Sequence, residues 1–394
     1  MNSRQRAILA VALVTQGVSV GLVYAVPPVF LEALESTFHA TRTQIAVGPV
    51  LIMAGLTVGG LLTGVALDRG YARGVLLAGA SVLIAALLVA SRATSLATLA
   101  CVAVAMGFST PSIGPLAGAS LVTRFFDEGR GRALGLIGMG PPLGSGLFAA
   151  VAGWSLLALG LRESFVFFAG VAFVAVVPLV CWAVPARFES RAEVAGQGGA
   201  AAVSMREVLA RPLFWWSAIV FALAAGIATG WTTHAAAYLG GVGLSPAQQS
   251  GVLAAQFWLG VPGALVFGTL ADRFPLRGLF VALLAAEAGL YAGFALGPSP
   301  LAAGVMAGAF GFLSGGLIPL YLLMLGRRMG PDALGRAMGL SNVVMLPVMS
   351  GAVLLAAAVY ERTGGYAAGL GVFSVGMLIA IGCMIASERS ERTS

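Results

Sequence analysis

The sequence contains no lysine, and only 9% of its 394 residues are charged, against about 25% in an ordinary soluble domain. Without lysine there is no Gly-Lys-Ser/Thr phosphate loop, so an ATP-driven pump would need a partner chain to supply its motor. The two histidines and the predicted loop carboxylates cannot be assembled into a Ser/His/Asp triad or a metal site. We therefore expect neither an enzyme nor a bound cofactor.

Long apolar runs separate the few charged clusters. Hydrophobic residues make up 59% of the chain, in runs of about 20 to 28 residues that can cross a ~30 Å hydrocarbon core. The runs lie near 7–31, 45–67, 74–91, 96–122, 133–160, 163–184, 212–240, 248–271, 278–297, 300–326, 336–360 and 366–387. They are too long for barrel strands, so the sequence predicts an all-α membrane protein with twelve transmembrane helices in the lipid bilayer. Cys101, Cys181 and Cys383 fall inside these runs and are expected to pack as small hydrophobic residues.

Arginine supplies all 22 basic residues and is spread unevenly over the predicted loops. If the helices alternate in direction, 18 arginines fall on the side of both termini, and four, Arg42, Arg92, Arg162 and Arg362, fall on the other. Basic residues mark the cytoplasmic side of a membrane. The net charge of +7 is therefore assigned to topology rather than to nucleic acid. We expect both termini in the cytoplasm and the protein in the cell (inner) membrane.

The two halves of the chain repeat each other with one constant shift. Residues 64–69 (GVALDR) return as 268–273 (GTLADR), a shift of 268 − 64 = 204. The same shift relates Gly107 to Gly311, Phe108 to Phe312, Arg124 to Arg328, and 131–133 to 335–337. Matches spread over about 70 residues without an insertion indicate a duplicated unit. Duplicated membrane units are typical of secondary transporters.

A polar segment separates the two copies. Residues 185–211 include the run Gly-Gln-Gly-Gly and are predicted to be a cytoplasmic linker. We therefore expect an N-terminal six-helix bundle over 1–184 and a C-terminal six-helix bundle, with a short cytoplasmic tail, over 212–394. The linker is too short for a nucleotide-binding domain, and the chain is expected to act as a monomer.

The repeated loop Gly-x-x-x-Asp-Arg lies between the second and third helices and again between the eighth and ninth. It resembles the signature of the major facilitator superfamily. The resemblance implies two bundles related by a pseudo-twofold axis along the membrane normal, one central substrate site and transport by alternating access.

The resemblance also implies a cytoplasmic latch, two contacts that exist only when that side is shut. In the first contact Asp68 docks against the start of the eleventh helix at 335–337; in the second, Asp272 docks against the start of the fifth at 131–133. The alternative is that these charges only anchor loops in water. The gating residues expected from the resemblance are Asp68, Arg69, Arg73, Arg132, Asp272, Arg273, Arg277 and Arg336.

Three further segments, at 17–38, 124–136 and 360–366, are similar to the monocarboxylate and oxalate/formate transporter branch of that superfamily. This similarity implies an organic acid as substrate, moved in symport with a proton. The chain departs from the branch where charge is expected. Tyr24 stands where the mammalian carriers have a lysine, and Gly260 and Ala264 stand where they have an aspartate and an arginine.

Polar side chains are sparse within the predicted helices. The resemblance places the first, fourth, seventh and tenth helices around the cavity, together with the second, fifth, eighth and eleventh. The candidate substrate-binding residues on these helices are Gln16, Tyr24, Ser109, Thr110, Thr229, Thr233, His234, Gln256, Tyr321 and Asn342. For each serine or threonine, the alternative is a hydrogen bond to its own helix carbonyl. For each amide it is an interhelical hydrogen bond, because a lipid-facing amide is costly.

His234 and Glu287 are ionisable side chains at predicted membrane depth and are candidates for proton coupling. Histidine titrates near neutral pH, and carboxylates inside a membrane are functional by default. Glu287 lies on the ninth helix, which in the superfamily packs outside the cavity. A carboxyl group that is hydrogen-bonded to a neighbouring helix is therefore the alternative.

These observations together predict secondary transport of a small organic solute, a monocarboxylate or another organic anion. The alternatives are efflux of an amphipathic, drug-like compound and a non-transporting membrane sensor or binding protein. Since no arginine is placed at cavity depth, a bound carboxylate would rely on helix dipoles, amide N–H groups or a protonated His234. For a neutral substrate, Gln16, Tyr24, Gln256 and Asn342 are expected to matter more.

The latch interpretation predicts the effect of Asp68→Asn. Loss of one charge-assisted contact changes the free energy by about 1–3 kcal/mol, enough to shift a balanced two-state equilibrium several-fold toward the inward-open state. Turnover should slow while expression stays nearly intact. Double electron–electron resonance between labels at the cytoplasmic ends measures the shift. Unchanged distance distributions in Asp68→Asn, Asp272→Asn and the double mutant would contradict the latch.

Overall fold

The computed structural model describes residues 3–69, 71–126, 130–185, 205–329 and 331–393. Within these ranges, the side chains at 61, 68, 123, 130–132, 331–336, 342 and 388–393 are not described. Most of the predicted linker, 186–204, therefore lies outside the described residues. Its last part contains a short helix, Met205–Leu209.

Twelve helices in the described residues are long and apolar enough to cross a membrane. At 1.5 Å per residue, lengths of 20 to 36 residues reach or exceed the ~30 Å hydrocarbon core. They are α1 Ser3–Phe38, α2 Arg42–Leu67, α3 Ala72–Ser91, α4 Leu96–Val122, α5 Ala133–Leu159, α6 Leu161–Ala183, α7 Pro212–Gly241, α8 Pro246–Ala271, α9 Leu276–Ala295, α10 Pro300–Met329, α11 Ala337–Thr363 and α12 Ala367–Ser387. The predicted all-α membrane fold with twelve transmembrane helices is confirmed.

The chain divides into two compact units, Met1–Gly198 and Gly199–Ser394. In the N-terminal unit, α2 packs along α4, α1 along α5, and α3 along α6. In the C-terminal unit, α8 packs along α10, α7 along α11, and α9 along α12. Adding six to each helix number turns the first three pairs into the second three. The duplication seen in the sequence is therefore also a duplication of helix packing.

The local backbone keeps the same shift of 204 residues well outside the matching sequence segments. Thr41 before α2 and Ser245 before α8 both close a capping box with a glutamine three residues later, which satisfies free N–H groups at the helix start. Gly160 before α6 and Gly364 before α12 both have a positive φ, 80° and 72°, a conformation that glycine adopts without strain. The duplicated unit therefore extends from the start of its second helix to the start of its sixth.

Glycines allow the closest helix crossings in both units. A Cβ atom on Gly107 of α4 would lie 1.9 Å from the carbonyl oxygen of Ile52 on α2. At the equivalent crossing, a Cβ atom on Gly311 of α10 would lie 2.0 Å from the carbonyl oxygen of Gln256 on α8. Lipid offers no hydrophobic force between helices, so close van der Waals contact through small residues holds such pairs together.

This packing predicts that Gly311→Ala destabilises the protein by about 1–3 kcal/mol, because the added methyl group meets backbone that cannot move aside. Gly289→Ala on α9 is the matched control, since nothing lies within 4 Å of its Cβ position and alanine is the better helix former. The melting temperature of the purified protein in detergent should fall for Gly311→Ala alone. Equal melting temperatures for the two variants would show that this crossing does not hold α8 and α10 together.

Candidate functional site

The fourth helix of each unit is broken within the membrane. α4 runs as Leu96–Ile113 and Pro115–Phe125, and Gly114 between the two parts is extended, with φ −99° and ψ −152°. α10 runs as Pro300–Gly315 and Leu317–Met329. Its interruption is milder, because Gly316 between the two parts keeps helical angles, with φ −77° and ψ −18°. Subtracting the repeat shift puts Gly316 at position 112 (316 − 204), so the two breaks are two residues apart. Broken helices at corresponding places of two repeats are a mark of substrate sites in transporters.

Proline explains both breaks. The residue before a proline is pushed out of the helical region, and Gly114 precedes Pro115. In α10, Pro319 has no N–H to bond the carbonyl oxygen four residues earlier, on Gly315. The helix continues through Pro111, and its first part ends two residues later at Ile113. In the sequence, the dipeptides Gly114-Pro115 and Gly315-Gly316 are the features that indicate the two interruptions.

Two buried polar side chains of α1 lie against the break in α4. Gln16 is 2% exposed and Ser19 is fully buried. Gln16 Nε2 and Ser19 Oγ form no hydrogen bond with any described residue. A Cβ atom on Gly118 would lie 2.1 Å from Gln16 Nε2, and one on Gly114 would lie 3.4 Å from Ser19 Oγ. Because an unpaired buried donor is costly, Gln16 stays a candidate for a ligand contact, and Ser19 joins it.

Tyr24 lies on a π-helical turn of α1, Gly21–Ala25. The N–H of Val26 donates to the carbonyl oxygen of Gly21, five residues earlier, and such turns are frequent at functional sites. The turn is pressed against α5, since a Cβ atom on Gly21 would lie 2.4 Å from a ring carbon of Phe148. Tyr24 is only half-buried. The π turn has no sequence signal that periodicity detects.

The candidate hydroxyl groups bond to their own helices. Ser109 and Thr110 donate to the carbonyl oxygen of Met106 at 2.7 and 3.0 Å. Thr229 donates to Ala225, and Thr233 donates to the carbonyl oxygen of Thr229, each at 2.8 Å. These bonds satisfy the hydroxyl donors while leaving oxygen lone pairs free. Their role as substrate ligands stays a prediction.

His234 is held between two helices of the C-terminal unit. Its Nε2 lies 3.0 Å from the carbonyl oxygen of Val353, and its Nδ1 lies 3.3 Å from the hydroxyl of Tyr366. A carbonyl only accepts, so Nε2 carries the hydrogen, and Nδ1 of the neutral ring accepts from the phenol. The ring is 2% exposed. The ring borders a small cavity of about 10 Å³, which Trp231 and Tyr238 also line. This volume has room for about one water molecule.

The other candidates of the C-terminal unit join helices to one another. Gln256 Oε1 on α8 accepts from Trp231 Nε1 on α7 at 3.1 Å. The hydroxyl of Tyr321 on α10 donates to Ser341 on α11. The Tyr321 ring also stacks on Phe221 of α7, with centroids 3.8 Å apart and ring planes 8° apart. These contacts agree with the alternative that the polar side chains form hydrogen bonds between helices. The side-chain NH2 group of Gln256 can still donate to a ligand.

The gating candidates lie at helix ends where they are described. Asp272 and Arg273 follow α8 directly and are exposed, as is Arg69 after α2, whereas Arg73 and Arg277 are half-buried. The side chains of Asp68, Arg132, Arg336 and Asn342 lie outside the described residues. The latch therefore stays a prediction. Glu287, the remaining candidate, is fully buried on α9.

Comparison with known proteins agrees with this architecture. Residues 12–351 match the Major Facilitator Superfamily. A bacterial homolog of the human lysosomal transporter Spinster, solved in an inward-facing and occupied conformation, has the same fold with a TM-score of 0.80 at 16% identity. The inward-facing, unoccupied structure gives a TM-score of 0.77 at 15% identity. Each alignment covers 99% of this chain and 98% of the other.

No curated protein sequence matches this chain. The family match nevertheless spans most of it, from α1 to α11, and the duplicated helix packing agrees with that match. The resemblance drawn from the repeated loop is confirmed at the level of the superfamily. The chain belongs to the Major Facilitator Superfamily and is an integral multi-pass membrane transporter of the alternating-access type rather than an enzyme.

Proposed function

We propose that this transporter moves a small organic solute that presents a carboxylate, or another oxygen acceptor, to the break in α4. The observation that carries the proposal is the unpaired Gln16 Nε2 beside Gly118, in the first turn of the half-helix Pro115–Phe125. An amide nitrogen only donates, so a ligand oxygen is the group that completes it. Ser19, which also lacks a partner among the described residues, offers a second donor.

The half-helix Pro115–Phe125 adds a favourable field for an anion. Pro115 has no N–H, and the N–H of Gly118 already donates to the carbonyl oxygen of Gly114. The backbone donors of the first turn are therefore those of Leu116 and Ala117, and the helix dipole places partial positive charge there. Helix starts inside transporters bind substrate carboxylates in this way. Backbone and amide donors together therefore replace the lysine that the carboxylate-transporting branch carries in its first helix.

The histidine route to an anion is less favourable. Binding a carboxylate at His234 would replace at least one of its contacts, with Val353 or with Tyr366, and a lost hydrogen bond in a buried site costs about 1–3 kcal/mol. Gln16 and Ser19 would lose no such contact with a described residue. The α4 break is thus the better place for the acceptor, and proton coupling is proposed at a separate place.

Efflux of a neutral amphipathic compound is the second candidate. No described arginine bonds to Gln16 Nε2 or Ser19 Oγ, so no positive charge at these atoms would offset the cost of burying a carboxylate. A ketone or ester oxygen accepts from the same two donors without that cost. The half-buried ring of Tyr24, on the adjacent π turn, offers apolar surface for such a compound. Both candidates assume a monomer in the cell membrane. They also assume that both termini lie in the cytoplasm, as the arginine distribution indicates.

The site predicts that Gln16→Leu weakens substrate binding about 5- to 150-fold. The substitution removes a buried hydrogen bond to the ligand, worth about 1–3 kcal/mol, at nearly constant volume. Ser19→Ala should act in the same direction. Thr232→Val is the matched control, since the Thr232 hydroxyl is bonded to its own helix and Thr232 is not a candidate residue. Ligand stabilisation in a thermal-shift screen of carboxylates and their methyl esters measures binding, and proteoliposome uptake of the hits measures transport.

The outcomes of that screen separate the candidates. Stabilisation by carboxylates alone supports the organic anion, whereas equal stabilisation by acids and esters supports the amphipathic compound. Binding that never leads to uptake would favour the sensor. Undiminished binding of every hit in Gln16→Leu would overturn the proposed site.

The same arrangement predicts that His234→Gln keeps substrate affinity within a few-fold. We expect it to lower the free energy of unfolding by about 1–3 kcal/mol, because at least one buried contact of the ring is lost. Tyr366→Phe should show a smaller effect of the same kind. Isothermal titration at several pH values checks affinity. An anion affinity that disappears in His234→Gln, and that fades in the wild type as the pH rises past neutrality, would place the anion at His234 instead.

A further inference from the structure

The two units differ in chemistry at the centre of their third helices. Leu83 and Leu87 of α3 are buried, with 0% and 1% exposure. Adding 204 gives Glu287 and Tyr291 of α9, both fully buried. The same position thus carries two leucines in one unit and a carboxyl with a phenol one helical turn apart in the other. Packing alone does not require polar residues at these two positions, because the N-terminal unit has leucine at both.

The polar pair lies among aromatic rings. The Tyr291 ring has Phe310 of α10 and Phe373 of α12 each at 5.8 Å, and Trp231 of α7 at 6.5 Å, between centroids. Neither carboxyl oxygen of Glu287 forms a hydrogen bond with any described residue, and neither does the hydroxyl of Tyr291.

The titratable groups on the surrounding helices are engaged elsewhere. His234 of α7 and Tyr366, which directly precedes α12, contact each other, and the hydroxyl of Tyr238 on α7 donates to the carbonyl oxygen of Phe294. On α10, Tyr321 donates to Ser341, and Arg328 donates to Ser217 and Ser387. Asp272 follows the end of α8 and is exposed, and Cys383 of α12 is a half-buried thiol. None of these groups bonds to Glu287, and no described arginine forms an ion pair with it.

We propose that Glu287, with Tyr291 beside it, is a proton-binding site inside the C-terminal unit. Burying a carboxylate that no described residue bonds carries a large desolvation cost, whereas burying the neutral acid costs far less. The carboxylate takes one proton from water when α9 and α12 close around it, and the acid returns that proton when water reaches the pair. The phenol then donates to the carboxylate that is left. That this proton drives solute movement rests on the proposed function.

Infrared difference spectroscopy of the purified protein tests the site. At neutral pH, the carbonyl stretch of a protonated carboxylic acid should be present in the wild type and absent in Glu287→Gln. It should shift in deuterated buffer and disappear reversibly at alkaline pH. Glu163→Gln, at an exposed position at the start of α6, is the matched control and should leave the band unchanged. Tyr291→Phe should move the loss of the band to higher pH.

Glu287→Leu introduces the residue of the N-terminal unit and tests folding. We expect its melting temperature at neutral pH to be unchanged or higher, since replacing a buried ionisable group by a well-packed apolar one is often neutral or stabilising. If this variant fails to fold, the infrared comparison of the wild type with Glu287→Gln still tests whether Glu287 binds a proton.

Two results would overturn the proton site. One is the absence of a Glu287-dependent acid band at neutral pH, and the other is a band that neither exchanges with deuterium nor titrates. Uptake by proteoliposomes without proton movement, with the band intact, would remove the coupling role and leave the site. Failure of Gln16→Leu to affect binding would concern the substrate site alone.

Discussion

The close contact of helix backbones through glycine is the constraint on which the rest of this membrane protein depends. Gly107 and Gly311 bring α4 against α2 and α10 against α8, at distances that admit no side chain. In lipid, apolar side chains gain little from touching one another, so contact density and interhelical hydrogen bonds decide which helices associate. The composition agrees, because 55 of the 394 residues are glycine.

These crossings also give the broken helices a fixed reference. Gly107 precedes the break at Gly114 by two helical turns, and Gly311 precedes the break at Gly316 by little more than one. The first part of each helix is therefore anchored to its neighbour before the chain becomes irregular. Irregular backbone at membrane depth is tolerated where protein or a cavity surrounds it. Anchoring the adjacent turns keeps the backbone N–H and C=O groups at each break in place, as the proposed binding site requires.

The helix pattern follows directly from the sequence, because a membrane requires long uninterrupted apolar runs and leaves no other backbone solution. The duplication is equally visible, since Gly64 to Arg69 and their copies share one shift. Side-chain partners are a different matter. Nothing in the spacing of His234 and Tyr366 shows that they meet, as they are 132 residues apart. Nor does the sequence show that Gln16 Nε2, which lies beside Gly118, has no hydrogen-bond partner among the described residues. Hydrophobic periodicity carries information about which face is buried, but not about which polar atoms are satisfied.

The proposed binding of the solute at Gln16 has a consequence for discrimination between solutes. A pocket that merely encloses apolar surface separates two compounds by only about 1–3 kcal/mol for each methylene group. A buried donor that has no alternative acceptor acts more severely, because a solute without the matching oxygen leaves that donor desolvated. This transporter should therefore tolerate chain-length homologues of its solute. It should reject isosteric analogues in which a single oxygen has been replaced by a methylene group.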